Sequence, residues 1–212
     1  KKGGAMKKLL VLTVILLAVV LAPLGATTIT FASGDGSATS NTGNVYTITP
    51  HPVWGSIPGA VWVSAYPNTG YGGGNVLPNW VAGAPTMTFT QMFLLPEVSN
   101  SGWITVGADD TAGVRINGFL IKPPNFTPDA ACSAGPIACE QSEFMTLNLT
   151  PWLVQGANTL LIEVYQLGGD VSGGDWKASL QSVPEPGTYA LMAAGLGALA
   201  FVRHRRHHSG KA

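Results

Sequence analysis

Between Val45 and Leu180, apolar and polar positions alternate in short runs that Gly, Pro, Asn and Asp interrupt every few residues. Nine runs carry the β-branched and aromatic residues of strands. They are Val45–Ile48, Ala60–Ala65, Thr86–Leu95, Trp103–Ala108, Gly113–Ile116, Phe119–Ile121, Phe144–Leu149, Thr159–Gln166 and Trp176–Leu180. In TMTFTQMF, Met87, Phe89 and Gln91 fall on one side and Thr88, Thr90 and Met92 on the other, the period of a half-buried strand. RINGFL reads as a hairpin, because Asn117-Gly118 supplies the two positive-φ positions of a type I′ turn. No run keeps the three-and-four spacing of an amphipathic helix over a convincing length. Short strands joined by short turns predict an all-β fold, an antiparallel β-sandwich of jelly-roll type.

The two ends break this pattern. From Met6, two lysines precede an apolar run starting at Leu9, followed by Pro23 and small residues. That is the three-part layout of a secretory signal, a helix removed by signal peptidase. Cleavage is expected after Ala26 or Ala32; the later position sets the signal at 6–32. The preceding KKGGA, residues 1–5, fits no part of that layout and reads as over-translated leader ahead of a start at Met6. At the other end, Thr188 to Val202 contains no charge and is followed by Arg203, Arg205 and Arg206. As a helix this run is about 22 Å long at roughly 1.5 Å per residue, against a hydrocarbon core of about 30 Å. It predicts a short transmembrane-like helix that holds the chain to a membrane before processing. The body is then expected at 33–182 and the tail at 183–212.

Charge sharpens the picture. The chain has 11 Lys/Arg and 11 Asp/Glu, a formal net charge of zero. Eight of the basic residues sit in the two ends, and the body carries three basic against ten acidic side chains, about −7. A body of that sign lacks the phosphate-neutralising groups of nucleic-acid binding, which is therefore not expected. Export also bears on Cys132 and Cys139, the two cysteines of the chain, in the loop sequence CSAGPIAC. In an oxidising compartment that spacing predicts a small disulfide ring rather than a metal site.

Candidate chemistry is sparse. Asp109 and Asp110 stand at a strand end, where paired carboxylates either hold Ca²⁺ or cap a turn through backbone amides, the latter being favoured. Asp170 and Asp175 lie in a glycine-rich loop and are weaker calcium candidates. Trp62 and Trp103, within strands, are expected in the core. Trp54 and Trp80, in Gly/Pro/Asn-rich segments, are candidates for stacking on sugar rings, as is Asn117 for polar contact. Catalysis is not expected: His51 is the single body histidine, and G-x-S-x-G, H-E-x-x-H and Walker sequences are absent.

Two resemblances follow from particular residues. TFTQMFLLP (Thr88–Pro96), WITVGADDTAGVRINGF (Trp103–Phe119) and LTPWLVQGANTLLIEVYQ (Leu149–Gln166) resemble galactose-binding-like jelly-roll modules. That resemblance implies sugar binding or a purely structural role more than catalysis. Val183-Pro184-Glu185-Pro186, the short apolar run and Arg203, Arg205 and Arg206 closely resemble the PEP-CTERM sorting signal of Gram-negative bacteria. That likeness implies recognition by the membrane protease exosortase and an association with exopolysaccharide or biofilm. The expectation is a structural or adhesive protein of the envelope, outer surface or extracellular matrix, with extracellular polysaccharide as a partner. The alternative is a calcium-supported carbohydrate-binding module, and a glycan hydrolase is the least supported reading.

Overall fold

The computed structural model of the chain describes residues 27–97, 99–182 and 194–198. The leader 1–5, most of the expected signal, and Val183, Pro184, Glu185, Pro186, Arg203, Arg205 and Arg206 lie outside the described residues. Residues 194–198 are helical, and among the described residues no helix is long and apolar enough to cross a membrane.

The body folds as eleven strands. In chain order they are β1 (Thr27–Ala32), β2 (Ala38–Ser40), β3 (Tyr46–Thr47), β4 (Val63–Ser64), β5 (Met87–Leu95) and β6 (Ser99–Asp109), then β7 (Thr111–Ile116), β8 (Phe119–Lys122), β9 (Met145–Asn148), β10 (Gly156–Tyr165) and β11 (Gly173–Ser182). One sheet has the order β3-β4-β11-β6-β9, with β1 also on β11; the other has the order β2-β5-β10-β7-β8. Each pairing is antiparallel. This is the β-sandwich that the alternation predicts.

The side-chain period of two decides which face each strand buries. On β5, Met87, Phe89, Gln91, Phe93 and Leu95 point inward while Met92 and Leu94 are exposed. Gln91 tolerates the interior because its Oε1 accepts from Ser37 Oγ at 2.8 Å and its Nε2 donates to the Met92 carbonyl at 3.2 Å. The same rule corrects the expectation for Trp103. Ile104 and Val106 take the inner face of β6, so Trp103 points out and is 46% exposed. Trp62 is buried, as expected. At the centre, Trp176 of β11 is fully buried against Phe89, with ring centroids 4.9 Å apart. The hairpin at Asn117-Gly118 has φ of 51° and 84°, and Ile116 pairs with Phe119 across it.

β1 joins the body to the residues before Ser33. Thr27–Ala32 pairs residue by residue with Ser182–Lys177 of β11, and Phe31 and Ala32 are buried. The six residues expected at the end of the signal are thus paired as a strand of the sandwich. Their composition, Thr-Thr-Ile-Thr-Phe-Ala, has the alternation of a strand as well as the small residues of a cleavage site. Cleavage after Ala32 would strip β11 of this neighbour, whereas cleavage after Ala26 leaves it whole. Intact-mass measurement of the exported protein is expected to place the mature start at Thr27. A start at Ser33 would show that β1 is dispensable.

Candidate functional site

The site grows from the dipeptide that joins the two sheets. β6 belongs to one sheet and ends at Asp109; β7 belongs to the other and starts at Thr111. Asp109 and Asp110 therefore sit at one pole of the sandwich, where the chain crosses between layers. The Asp110 backbone N–H donates to the Tyr165 carbonyl at 3.2 Å. The Asp110 Oδ2 accepts from the backbone N–H groups of Leu167 and of Gly168, the latter at 2.8 Å. Ser172 Oγ donates to the Asp109 carbonyl at 2.8 Å. The dipeptide thereby holds the loop after β10, turn-capping chemistry of the favoured kind.

A second loop forms the opposite wall. Cys132 and Cys139 are disulfide-bonded, with Cα atoms 6.0 Å apart. Asp129 Oδ1 accepts from the N–H groups of Ala131 at 2.8 Å and Cys132 at 2.9 Å. Those two donors hold its carboxyl below the usual carboxylate range. The ring is tied to the body by Ala108 N–H to the Ala138 carbonyl, Gly55 N–H to the Cys139 carbonyl, and Thr111 Oγ1 to the Ile137 carbonyl. Under it, Trp54 and Trp62 pack 4.1 Å apart between ring centroids, in one buried cluster with both cysteines.

Between these walls lies a cavity of about 360 Å³. Asp109, Asp110, Asp129, Asp170, Gln166, His51 and Trp54 line it, together with apolar side chains such as Val53 and Val171. Asp109 and Asp110 are 3% and 5% exposed. Burial pushes the Asp109 carboxyl up to about 10; the Asp110 charge, a hydrogen bond between the two acids and the Asp170 charge add to this, and the Trp54 indole opposes it. Gln166 is 1% exposed. Its backbone is satisfied through Thr86 Oγ1 and the Trp80 N–H, but its Oε1 has no hydrogen-bond partner.

The sign of the pH effect is fixed by Asp109. With its carboxyl raised from 3.8 to about 10, the folded chain holds more protons than the unfolded chain across that window. Stability in metal-free buffer therefore falls as pH rises through it. The urea midpoint is expected to drop from mildly acidic to mildly alkaline pH, and Asp109→Asn to flatten that slope. An unchanged slope in the variant would refute this account of Asp109.

The structure brings Asp109, Asp110, Asp170 and Trp54 to one groove and places the other candidates elsewhere. Asp175 lies inside the sandwich, where it accepts from Ser33 Oγ and the Ile57 N–H, each at 3.0 Å. Burial raises its carboxyl, and it takes no part in the groove. Trp80 stacks flat on Phe126, with centroids 4.2 Å apart, and edge-on to Tyr165. Asn117 sits at the opposite pole, its amide donating to the Trp152 carbonyl and Asn158 Oδ1 and its Oδ1 accepting from Thr159 N–H. That side chain braces a turn. The groove residues that sequence reasoning missed are Gln166 and Asp129. Nothing local marks Gln166, whose orphaned oxygen arises only from how β10 packs.

The fold and the groove define an antiparallel β-sandwich protein with an acidic cleft at one pole. Residues 182–206 match the PEP-CTERM protein-sorting motif, so the chain carries an exosortase-type sorting tail and is an exported, envelope-sorted protein. Among curated proteins none matches this chain. Solved structures that it resembles include a family 35 carbohydrate binding module from Clostridium thermocellum, at 14% identity and a TM-score of 0.39, covering 72% of this chain and 97% of that one. A family 35 module from Cellvibrio japonicus is 11% identical with a TM-score of 0.37, covering 75% and 99%. An exo-beta-1,3-galactanase from Phanerochaete chrysosporium is 13% identical with a TM-score of 0.36, covering 73% of this chain and 29% of that one.

Proposed function

We propose that this exported protein acts in the envelope or extracellular matrix of a Gram-negative bacterium as a structural or adhesive component that binds polysaccharide in the polar groove. The observation that carries the reading is the character of the lining. Acidic side chains from Asp109, Asp110, Asp129 and Asp170 and the Gln166 Oε1 offer polar partners, with Trp54, Val53 and Val171 as apolar surface beside them. Sugar hydroxyls are donors, and hydrogen bonds to charged acceptors contribute roughly 1.5–3 kcal/mol each when buried. Neither Lys nor Arg lines the groove. A neutral, hydroxyl-rich chain therefore fits better than a polyanion, which the acidic lining disfavours. The envelope-sorting tail supports the same location. No catalytic role is assigned; the groove serves for retention.

The test is binding of the purified exported protein to a panel of neutral and uronate polysaccharides, including that of the producing cell. Neutral chains are expected to bind, and Asp170→Ala, at the exposed rim, to weaken binding about tenfold, the equivalent of roughly 1.4 kcal/mol. No retention on any neutral chain, or preference for uronate chains, would overturn the reading.

A further inference from the structure

We propose that the pole of the sandwich away from the groove is a membrane-contact surface, on which Phe119, Leu120, Trp152 and Val154 meet the headgroup–acyl boundary of a phospholipid bilayer. This goes beyond the glycan reading and does not depend on it. Two turns build the surface. Asn117-Gly118 turns β7 into β8 and leaves Phe119 57% exposed, with Leu120 exposed beside it. The single 3₁₀ turn Thr150–Trp152 carries a Trp152 that is 38% exposed and leads to Val154, also exposed. Asn117 joins the turns by donating its amide to the Trp152 carbonyl at 2.9 Å, and the Phe119 and Trp152 rings meet with centroids 5.3 Å apart. Gln155 donates to the Pro96 carbonyl at 2.9 Å and so holds the Val154 loop against the end of β5, where Leu94 is exposed. Ile116 and Leu149 fill the core beneath, so these side chains are not core residues waiting to fold inward. Single exposed apolar residues are ordinary, whereas a linked group of them marks a contact surface.

Charge favours a lipid surface as the occupant. Four acids of the body line the groove at the other pole. In the two turns of the patch and in the β5–β6 turn beside them, Glu97 is the one ionisable side chain, and its Oε2 is buried. Arg115, which pairs with Leu120 across the β7–β8 ladder, is neutralised by Glu163 at 3.1 Å. A nearly uncharged patch meets an anionic phospholipid surface without the repulsion that the acidic pole would feel. Trp and Phe suit that depth, since their rings are apolar and the indole N–H keeps a polar partner among the headgroups. Sugar stacking, the other common use of exposed rings, needs hydrogen-bonding side chains around them. Asn117, the amide between the two turns, is already committed to Trp152, Asn158 and Thr159.

The path of the chain points to the same occupant. Ser182 pairs with Ser99 at the end of β11, and the Leu149 N–H donates to the Gly102 carbonyl at 2.7 Å. The exit of β11 and the Trp152 turn therefore share one pole. Residues 183–187 alone separate Ser182 from Thr188, where the uncharged run expected in a membrane before processing begins. Fully extended, that connection spans at most about 22 Å at roughly 3.3–3.6 Å per residue. On so short a tether the patch is within reach of the bilayer surface.

The test uses the full chain, tail uncleaved, with vesicles of phosphatidylethanolamine and phosphatidylglycerol whose acyl chains carry bromine, a quencher of indole fluorescence. Every tryptophan lies between Trp54 and Trp176, so quenching reports the body and not the tail. Quenching is expected in the vesicle-bound protein, to be lost in Trp152→Phe and kept in Trp103→Phe, whose indole faces out from the other sheet. Phe119→Ser combined with Leu120→Ser is expected to cut the quenching at least about threefold through lost apolar contact, while the chain still sediments with vesicles through its tail. Melting temperatures check that each variant is folded; Val154→Asp, in an exposed loop, serves with the same expected loss should the double variant unfold. The proposal is overturned if Trp152 is not quenched in sedimented protein, if Trp103 carries the quenching, or if quenching survives the patch variants. It is equally overturned if, without lipid, a neutral glycan shields Trp152 from acrylamide, which would make the patch a sugar platform. Self-association without lipid that the patch variants abolish would assign the surface to a second copy and overturn it as well.

Discussion

Trp176→Ala is expected to lower the stability of the sandwich by about 3–5 kcal/mol, the usual cost of emptying a large buried aromatic site. Trp176 is the largest fully buried side chain among the described residues, on a strand that pairs with β1, β4 and β6. Its ring meets Phe89 of the facing sheet, so the deletion opens a void between layers that neither can collapse into without moving its strands. Against the typical total of 5–15 kcal/mol, that loss leaves a marginal fold. Urea unfolding followed by circular dichroism is the measurement; a shift under about 1 kcal/mol would contradict this placement of the core. Trp176→Phe is a useful companion, because it also removes an indole N–H that has no partner. Its cost is therefore expected to be well below that of the alanine variant.

Opening the disulfide is the second large effect. Replacing Cys132 and Cys139 by Ser removes a cross-link over seven residues of separation. The chain-entropy relation gives a loss of about 2–3 kcal/mol for a loop of that size. Two buried hydroxyls in the apolar cluster of Trp54 and Trp62 add to it. The local consequence is larger than the global one. The ring carries Cys132, whose N–H holds the Asp129 carboxylate, and it packs under the groove through Trp54. Glycan retention is accordingly expected to fall more than stability does when reduced and oxidised protein are compared at a temperature where both are folded. Equal retention in the two forms would show that the ring serves only the fold.

Much of the sandwich was legible because its strands have one wet and one dry face. β5 announces itself through Met87, Phe89 and Gln91, and the β7–β8 hairpin through Asn117-Gly118. β1 was not legible, since Thr27–Ala32 satisfies the composition of a peptidase site and of an edge strand alike. Only its partner β11 distinguishes them. Residue type alone puts Trp103 in the core, but phase decides: Ile104 and Val106 fix the inner face of β6, and Trp103, one residue before Ile104, falls on the other side. In the site, Asp109 and Asp110 were visible as a pair at a strand end. Their company was legible only for Asp170, in its glycine-rich loop; Asp129 comes from a distant stretch of chain and Gln166 from the end of β10, and neither carries a local signal. Asp175 illustrates the reverse error, as closeness in sequence to Asp170 did not carry it to the same place.

The register of β1 on β11 brings the two ends of the described body together. Thr27 and Ser182 pair with each other, so the chain enters and leaves the sandwich at adjacent points. Gly173, at the far end of β11, pairs with Asp109 at the groove. Nine residue steps separate Gly173 from Ser182, about 30 Å at roughly 3.3 Å per step. The end of β11 and the mouth of the groove are thus far apart. Both ends of the described body therefore lie together at the pole away from the groove.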